Sequence, residues 1–333
     1  VKSNSDGKIG FWEAAAIGVG GMVGGGIFAV LGLSVELARG GTPVAFAIAG
    51  AVALVTSYSY AKLSVRYPSR GGTVVFLDRV FGANFFTGSA NVLLWLSYVV
   101  MLALYSYAFG SYGATFFPDA HHELAKHLLI SLAIVAPTVL NVASAKIIGQ
   151  AEIYVVGIKL LILLFFLAMG LGGVEPSRLA VEHWVPAIPL VAGGMIIFVA
   201  YEGFELIANT GEDIKNPSRN LPRAYYASVI FVILLYIAIA IVCVGGLPIG
   251  KLIGARDYAL AEAAKPFLGS AGFSLIVVAA LLSTFSAINA TLYGSARLSY
   301  TIAKEGELPA QLERQIWGQP LEGLFITAGL ALI

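Results

Sequence analysis

Charge is scarce in this sequence: Asp, Glu, Lys and Arg make up 12% of its 333 residues, about half of what a soluble domain carries. There is one cysteine, Cys243, so no disulfide can form within the chain, and its apolar setting suits a small buried hydrophobe. Only four histidines occur, His121, His122, His127 and His183, all in polar connections with no Cys or carboxylate set at metal-ligand spacing. No strand precedes any glycine-rich stretch, which excludes a dinucleotide-binding turn. No nucleophile–base arrangement is visible either. The chain is therefore not read as an enzyme, and neither a cofactor nor a metal is expected. A net charge of +1 gives no basic surface for nucleic acid. The opening residues, VKSNSDGKIG, are polar and lack the apolar core of a signal peptide.

What takes the place of charge is apolar length. Hydrophobic residues make up 58% of the chain, and its mean hydropathy is +0.85. Apolar blocks of membrane-crossing length recur throughout. They are continuous and do not alternate with period two, which argues against a barrel. The sequence predicts an all-α polytopic membrane protein with spans at about 12–37, 43–65, 84–113, 125–143, 147–173, 187–210, 223–247 and 268–302. A ninth begins near Gly323 and is still apolar at Ile333, so the reading expects the chain to stop inside helix 9. Thirteen Lys and Arg residues fall in one set of loops and six in the other, which places the N-terminus in the cytoplasm.

Two spans carry features that a plain membrane helix avoids. Gly18–Phe28 reads GVGGMVGGGIF, six glycines in eleven residues. Each costs roughly 1 kcal/mol relative to alanine in a helix interior. Gly20-x-x-x-Gly24 and Gly21-x-x-x-Gly25 also fit a helix-packing face. Span 6 contains Phe198-Val-Ala-Tyr-Glu-Gly-Phe-Glu205, with Glu202 and Glu205 at membrane depth. Intramembrane ionisable residues and paired helix interruptions both point to a transporter's binding site. A break frees backbone N–H groups at the start of one half-helix, where an anion is favoured. It frees carbonyls at the end of the other, where a cation is favoured. A small ligand with both charges is an amino acid.

Span 5 adds a third feature. In IYVVGIKLLILLFFLAMGLGG, Ile153 to Gly173, the one charged residue is Lys159. It lies about 18 Å into the span, too deep for easy snorkelling. Burial disfavours the charged form of a lysine, so Lys159 is read as a group that exchanges a proton, with a structural clamp on carbonyls as the alternative. On span 8, Ser283 and Ser286 share a helix face that suits an ammonium.

These residues resemble the amino acid–polyamine–organocation (APC) transporter superfamily, whose LeuT-like fold is a 5+5 inverted repeat with helices 1 and 6 interrupted. The resemblance is carried by Val23-Gly-Gly-Gly-Ile-Phe28, by Tyr60-Ala-Lys-Leu through Pro68 to Gly72, by Glu212-Asp-Ile-Lys-Asn-Pro217, and by Tyr293-Gly-Ser-Ala-Arg through Lys304-Glu-Gly-Glu-Leu-Pro309. It is nearest to the superfamily's prokaryotic proton-coupled members. It implies one transmembrane domain over 1–333, with a first repeat at about 12–173 and an incomplete second at about 187–333. It implies that Lys159 replaces the sodium ion of related carriers, near the Gly20 carbonyl, Ser283 and Ser286. Met22, Gly24, Gly25, Gly26, Phe198, Val199, Ala200 and Glu202 would form the substrate site. Two residues depart from the family pattern: Glu202, where an apolar residue is expected, and Lys62, where a glutamate is. The expected function is proton-coupled symport of neutral L-amino acids across the cell membrane by alternating access. The alternative is amino acid or amine exchange with Lys159 as a structural cation. The expected partners are the amino acid, protons and the bilayer.

Overall fold

The computed structural model describes residues 9–69, 72–314 and 320–333, and of 143–153 the backbone alone. Helices α1 (Phe11–Met22) and α2 (Gly26–Ala38) make the first span, bent by 45° at residues 23–25. Helix α3 (Thr42–Arg66) is followed by the short α4 (Gly72–Phe81), then by α5 (Phe85–Ala114) and α6 (His122–Gly170). Helix α7 (Ala187–Ile197) runs into 3-10 turns at Phe198–Tyr201 and Phe204–Thr210. After these come α8 (Pro217–Gly246), α9 (Ile249–Gly254), α10 (Ala259–Lys304) and α11 (Leu321–Leu332). Among the described residues, seven segments are long and apolar enough to cross a membrane, or eight with the bent α1–α2 pair. The protein is an all-α polytopic membrane protein.

Side-chain burial follows the bilayer. On α6, Lys159, Leu163 and Phe166 are fully buried, while Leu161 on another face is 68% exposed. The periodicity is helical, with the apolar outer face left for lipid. Inward faces carry small residues: Ala45, Ala49 and Ala53 on α3 are all buried, and Gly50 lies against Ile233 of α8.

Three boundaries differ from the sequence reading. Helix α6 is helical throughout His122–Gly170, although spans 4 and 5 were expected to be separate. Its two ends still meet one face of the molecule: Lys126 Nζ lies 3.1 Å from Asp257 Oδ2, and Gly170 packs on Phe267. The chain thus crosses and returns, giving two spans, 119–142 and 154–173. Helix α8 starts at Pro217, six residues earlier than expected. The polar residues Arg219 and Arg223 read as loop, but Asn216 takes a positive φ of 47° and Pro217 suits the first helical turn. Helix α10 begins before its span and is interrupted at Gly269, with φ 62° and ψ −154°. Only glycine adopts that conformation readily. The interruption lies within a residue of where span 8 was expected to start.

The two faces are tied by polar contacts. On the face opposite the N-terminus, Asp257 Oδ2 accepts from Lys126 Nζ (3.1 Å), from the Tyr107 hydroxyl (2.9 Å) and from the Ser111 hydroxyl (3.4 Å). Arg256 Nε lies 3.4 Å from Glu36 of α2, and Gly32 of α2 touches the Arg256 carbonyl. The connection after α9 is thereby strapped across α2, α5 and α6. Asp257→Ala should loosen it. A cysteine placed at the buried Ser111 should then react severalfold faster with a thiol reagent, against a background of the fully buried Cys243. An unchanged rate would mean that the strap does not cover Ser111.

On the N-terminal face, Ile9 pairs with Ile214 in a short parallel bridge. Asn91, fully buried, donates from Nδ2 to Glu307 Oε2 (2.7 Å) and to Asp78 Oδ1 (3.3 Å). One amide thus serves two carboxylates from separate elements. Burial and then the neighbouring Glu307 push the Asp78 carboxyl above the usual carboxylate range. Since the folded-state value is raised, this group stabilises the fold below its unfolded value, and that contribution is lost as pH rises through the folded one. Asp78→Asn keeps the acceptor and removes the charge. It should raise the melting temperature by about 2 °C at neutral pH, with the gap closing on acidification. A gap that widens at low pH would contradict the sign.

Candidate functional site at the two helix breaks

Alpha-helical geometry stops where glycine is densest. Helix α1 ends at Met22 and α2 restarts at Gly26 with Gly25 as its N-cap. In span 6 the helix ends at Ile197, and Gly203 takes φ 118°. The two breaks cross in direct backbone contact. A Cβ on Gly21 would stand 2.7 Å from the Gly203 carbonyl oxygen, and one on Gly26 would stand 2.6 Å from that of Ala200. The glycines are therefore needed for close approach as well as for conformational freedom.

Breaking α1 leaves carbonyls without their usual i+4 partners. Three side chains from three spans supply donors. Lys159 Nζ of α6, fully buried, donates to the Gly20 carbonyl at 3.1 Å. The Tyr236 hydroxyl of α8 donates to the Met22 carbonyl at 2.7 Å. The Ser283 hydroxyl of α10 donates to the Val23 carbonyl at 3.5 Å. A charge-assisted hydrogen bond contributes about 1.5–3 kcal/mol, against about 1 kcal/mol for a neutral one, so Lys159 is the strongest of the three ties.

The structure brings Lys159 and Gly20 together. Ser283 lies fully buried one turn along the same break, on the Val23 carbonyl, and Ser286 is 5% exposed on α10. Met22, Gly24, Gly25, Gly26 and Ala200 are buried, whereas Phe198, Val199 and Glu202 are half-buried. Gly24 packs on Ala287 of α10, and Gly25 lies under the ring of Tyr105 from α5. Glu205 accepts the Gly203 N–H at 2.7 Å through Oε2, closing the turn after the break. Lys62 is exposed on α3, with its Nζ 5.6 Å from the centre of the Tyr58 ring.

Several contributors escaped the sequence reading. Tyr236 and Tyr105 sit in ordinary apolar runs, and nothing in their spacing marks them. The Tyr201 hydroxyl donates to the Phe46 carbonyl of α3 at 2.9 Å, fixing the rim of the second break. Asn141 donates to Asn289 at 2.7 Å, joining α6 to α10. This pair left a sequence signal, since a lone asparagine in each of two spans asks for a partner.

Two interrupted membrane spans crossing around small residues, with a buried lysine beside them, define a membrane transport protein. A family model described as amino acid permease matches residues 9–333, and the chain belongs to that family. It is 40% identical to an uncharacterized protein of Methanocaldococcus jannaschii, over 98% of this chain and 75% of that protein. It is 35% identical to the inner membrane transport protein YbaT of Escherichia coli K12, over 99% and 77%. It is 23% identical to the branched-chain amino acid permease BcaP of Bacillus subtilis, over 92% and 69%. The protein is a transporter and not an enzyme, and its family is that of the amino acid permeases.

Proposed function

We propose that the protein carries neutral L-amino acids together with a proton across the cell membrane, by alternating access, with its N-terminus in the cytoplasm. The observation that carries this reading is the buried Lys159 ammonium on the Gly20 carbonyl, at the point where α1 breaks. The substrate carboxylate would sit on the first-turn amides of α2 at Gly25 and Gly26, where the helix dipole is positive. Its ammonium would take carbonyls at Met22, Val199 and Glu202. Recognition through backbone leaves the side chain loosely specified, which fits a range of neutral substrates. A branched-chain permease among the relatives supports such a range.

In this reading Lys159 carries the coupling proton. While charged, it ties α6 to the end of α1. Once neutral it is a weaker donor, and the α1–α6 contact loosens. A difference of a few kcal/mol between the two states is enough to invert their populations. The arrangement supports the two inverted repeats, at about 12–173 and 187–333, each opening on a broken helix. Exchange of one amino acid for another is the rival, with Lys159 as a fixed cation.

The test is uptake of a labelled amino-acid mixture into liposomes under an imposed inward proton gradient, without sodium. Accumulation that a protonophore abolishes supports symport. Uptake that requires amino acid preloaded inside supports exchange and returns Lys159 to a structural role.

A further inference from the structure

The polar cluster on the N-terminal face leaves two of its atoms unmatched. Asn91 of α5 is fully buried. Its Nδ2 donates to Glu307 Oε2 and to Asp78 Oδ1, at 2.7 and 3.3 Å. Among the described residues, Asn91 Oδ1 and Asp78 Oδ2 are buried with no hydrogen-bond partner. They are the remaining oxygens of an amide and a carboxyl that already share one hydrogen bond. Two acceptors cannot satisfy each other, and a buried polar atom left unmatched is costly. A single proton on Asp78 Oδ2 answers for both, because the acid O–H then donates to the amide oxygen while the amide N–H stays on Oδ1. A metal ion fits less well. Asp78 Oδ1 and Glu307 Oε2 are already taken by Asn91, and among the described residues no three acidic, His or Cys side chains group to hold one.

The place of this cluster gives the proton a mechanical consequence. Helix α4 carries Asp78, and its other residues meet the segment that follows the second break. A Cβ on Gly72 would stand 2.7 Å from Asn209 Oδ1. The Thr73 hydroxyl meets that of Tyr60 at 2.9 Å. The Tyr60 ring in turn lies 5.5 Å from the Phe204 ring and 6.1 Å from that of Phe76, centre to centre. Asn91 and Glu307 belong instead to α5 and to the turn after α10, and α5, α6 and α10 pack on one another. Helix α4 therefore bridges the broken span 6 and a three-helix group, and Asp78 is its tie to that group.

We propose that Asp78 is a proton-binding site that latches this face of the transporter: with the proton bound, α4 holds the end of span 6 against α5 and the turn after α10, and when the proton leaves, that end is free to move. Deprotonation sets two carboxylates on one amide, and their repulsion opens the latch as pH rises. The charged groups facing Asp78 are Glu307 and Glu305, from the turn after α10. Helix α5 presents Asn91 and Thr87, both uncharged. Helix α3 presents Tyr60, occupied by Thr73, and span 6 presents Glu205, occupied by the Gly203 N–H. Among the described residues no Lys or Arg, Arg79 and Lys304 included, pairs with Asp78 or Glu307. The latch asks only that span 6 moves during transport, and it is the same for symport and for exchange.

The experiment places spin labels at the exposed positions Val80 on α4 and Ala310 after α10 and measures their separation in lipid nanodiscs across a pH series; the native Cys243 is fully buried. In the wild type, a longer separation should gain over the shorter one by about tenfold from acidic to alkaline pH. Asp78→Asn copies the protonated acid, with an N–H for the O–H, and should keep the short separation throughout. Asn91→Leu removes the amide and should give the long one throughout. Thermal unfolding establishes that each variant is folded, and Asn91→Leu carries the test if Asp78→Asn is not. A wild-type separation indifferent to pH, or a pH response that survives in either variant, overturns the proposal. Exchange of a labelled amino-acid mixture, at equal pH on both sides of the membrane, reads the consequence. Asp78→Asn should be severalfold slower than wild type at alkaline pH and equal to it at acidic pH. Equal rates throughout would mean that the latch does not restrain span 6, which also overturns it.

Discussion

Lys159→Ala should abolish concentrative uptake: under a proton gradient, internal amino acid should rise only to the external level. The expectation follows from the contact between Lys159 Nζ and the Gly20 carbonyl, 3.1 Å long and fully buried. Alanine removes both the buried amine and its tie between α6 and the end of α1. The Gly20 carbonyl is then left without that donor, at a cost of about 1–3 kcal/mol. Tyr236 and Ser283 still hold the next carbonyls along, so the break should keep its shape. Equilibrium binding of substrate should therefore change much less than accumulation does. If Lys159→Ala instead lost binding and fold together, the lysine would be a structural clamp. If it still accumulated substrate, proton coupling would lie elsewhere.

Gly203→Ala has the second large effect, through backbone alone. Gly203 has φ 118°, which a residue with a Cβ adopts only under strain. Its new methyl would fall on the carbonyl carbon of Gly21 across the crossing. Strain of about 1–2 kcal/mol adds to overpacking of about 1–3 kcal/mol, together about 2–5 kcal/mol. The two breaks should separate, with a melting temperature lower by several degrees and substrate binding weakened by at least tenfold. Gly157→Ala is the control, because a Cβ there meets nothing within 4 Å. It sits in helical backbone, so alanine should be neutral or slightly stabilising. Equal losses in both variants would mean that glycine content, and not the crossing, is what matters.

How far the sequence alone reached depended on contrast. Lys159 was legible because it is the one charge in a stretch of twenty-one residues, the other twenty uncharged. The first break was legible because six glycines crowd eleven positions, and the second because two carboxylates interrupt a membrane span. In each case the residue type is costly in lipid, and the cost is visible without coordinates. Tyr236, Tyr105 and Tyr201 were not legible. A tyrosine at membrane depth is ordinary until its hydroxyl is seen on a particular carbonyl, a tertiary fact with no local signature. Polar residues misled at the start of α8, where Arg219 and Arg223 read as loop but occupy a helix projecting from the apolar zone. The crossing of Gly21 over Gly203 joins positions 182 residues apart. The sequence marked both glycine sites and left their contact to the fold.

In a symporter, amino acid and proton move together. The most direct measurement loads proteoliposomes with a pH-sensitive dye, sets no initial pH gradient, and adds amino acid outside. Symport predicts that the interior acidifies as substrate enters, in fixed proportion to it, and that Lys159→Ala removes the acidification. Substrate entry with an unchanged internal pH in the wild type would rule out symport.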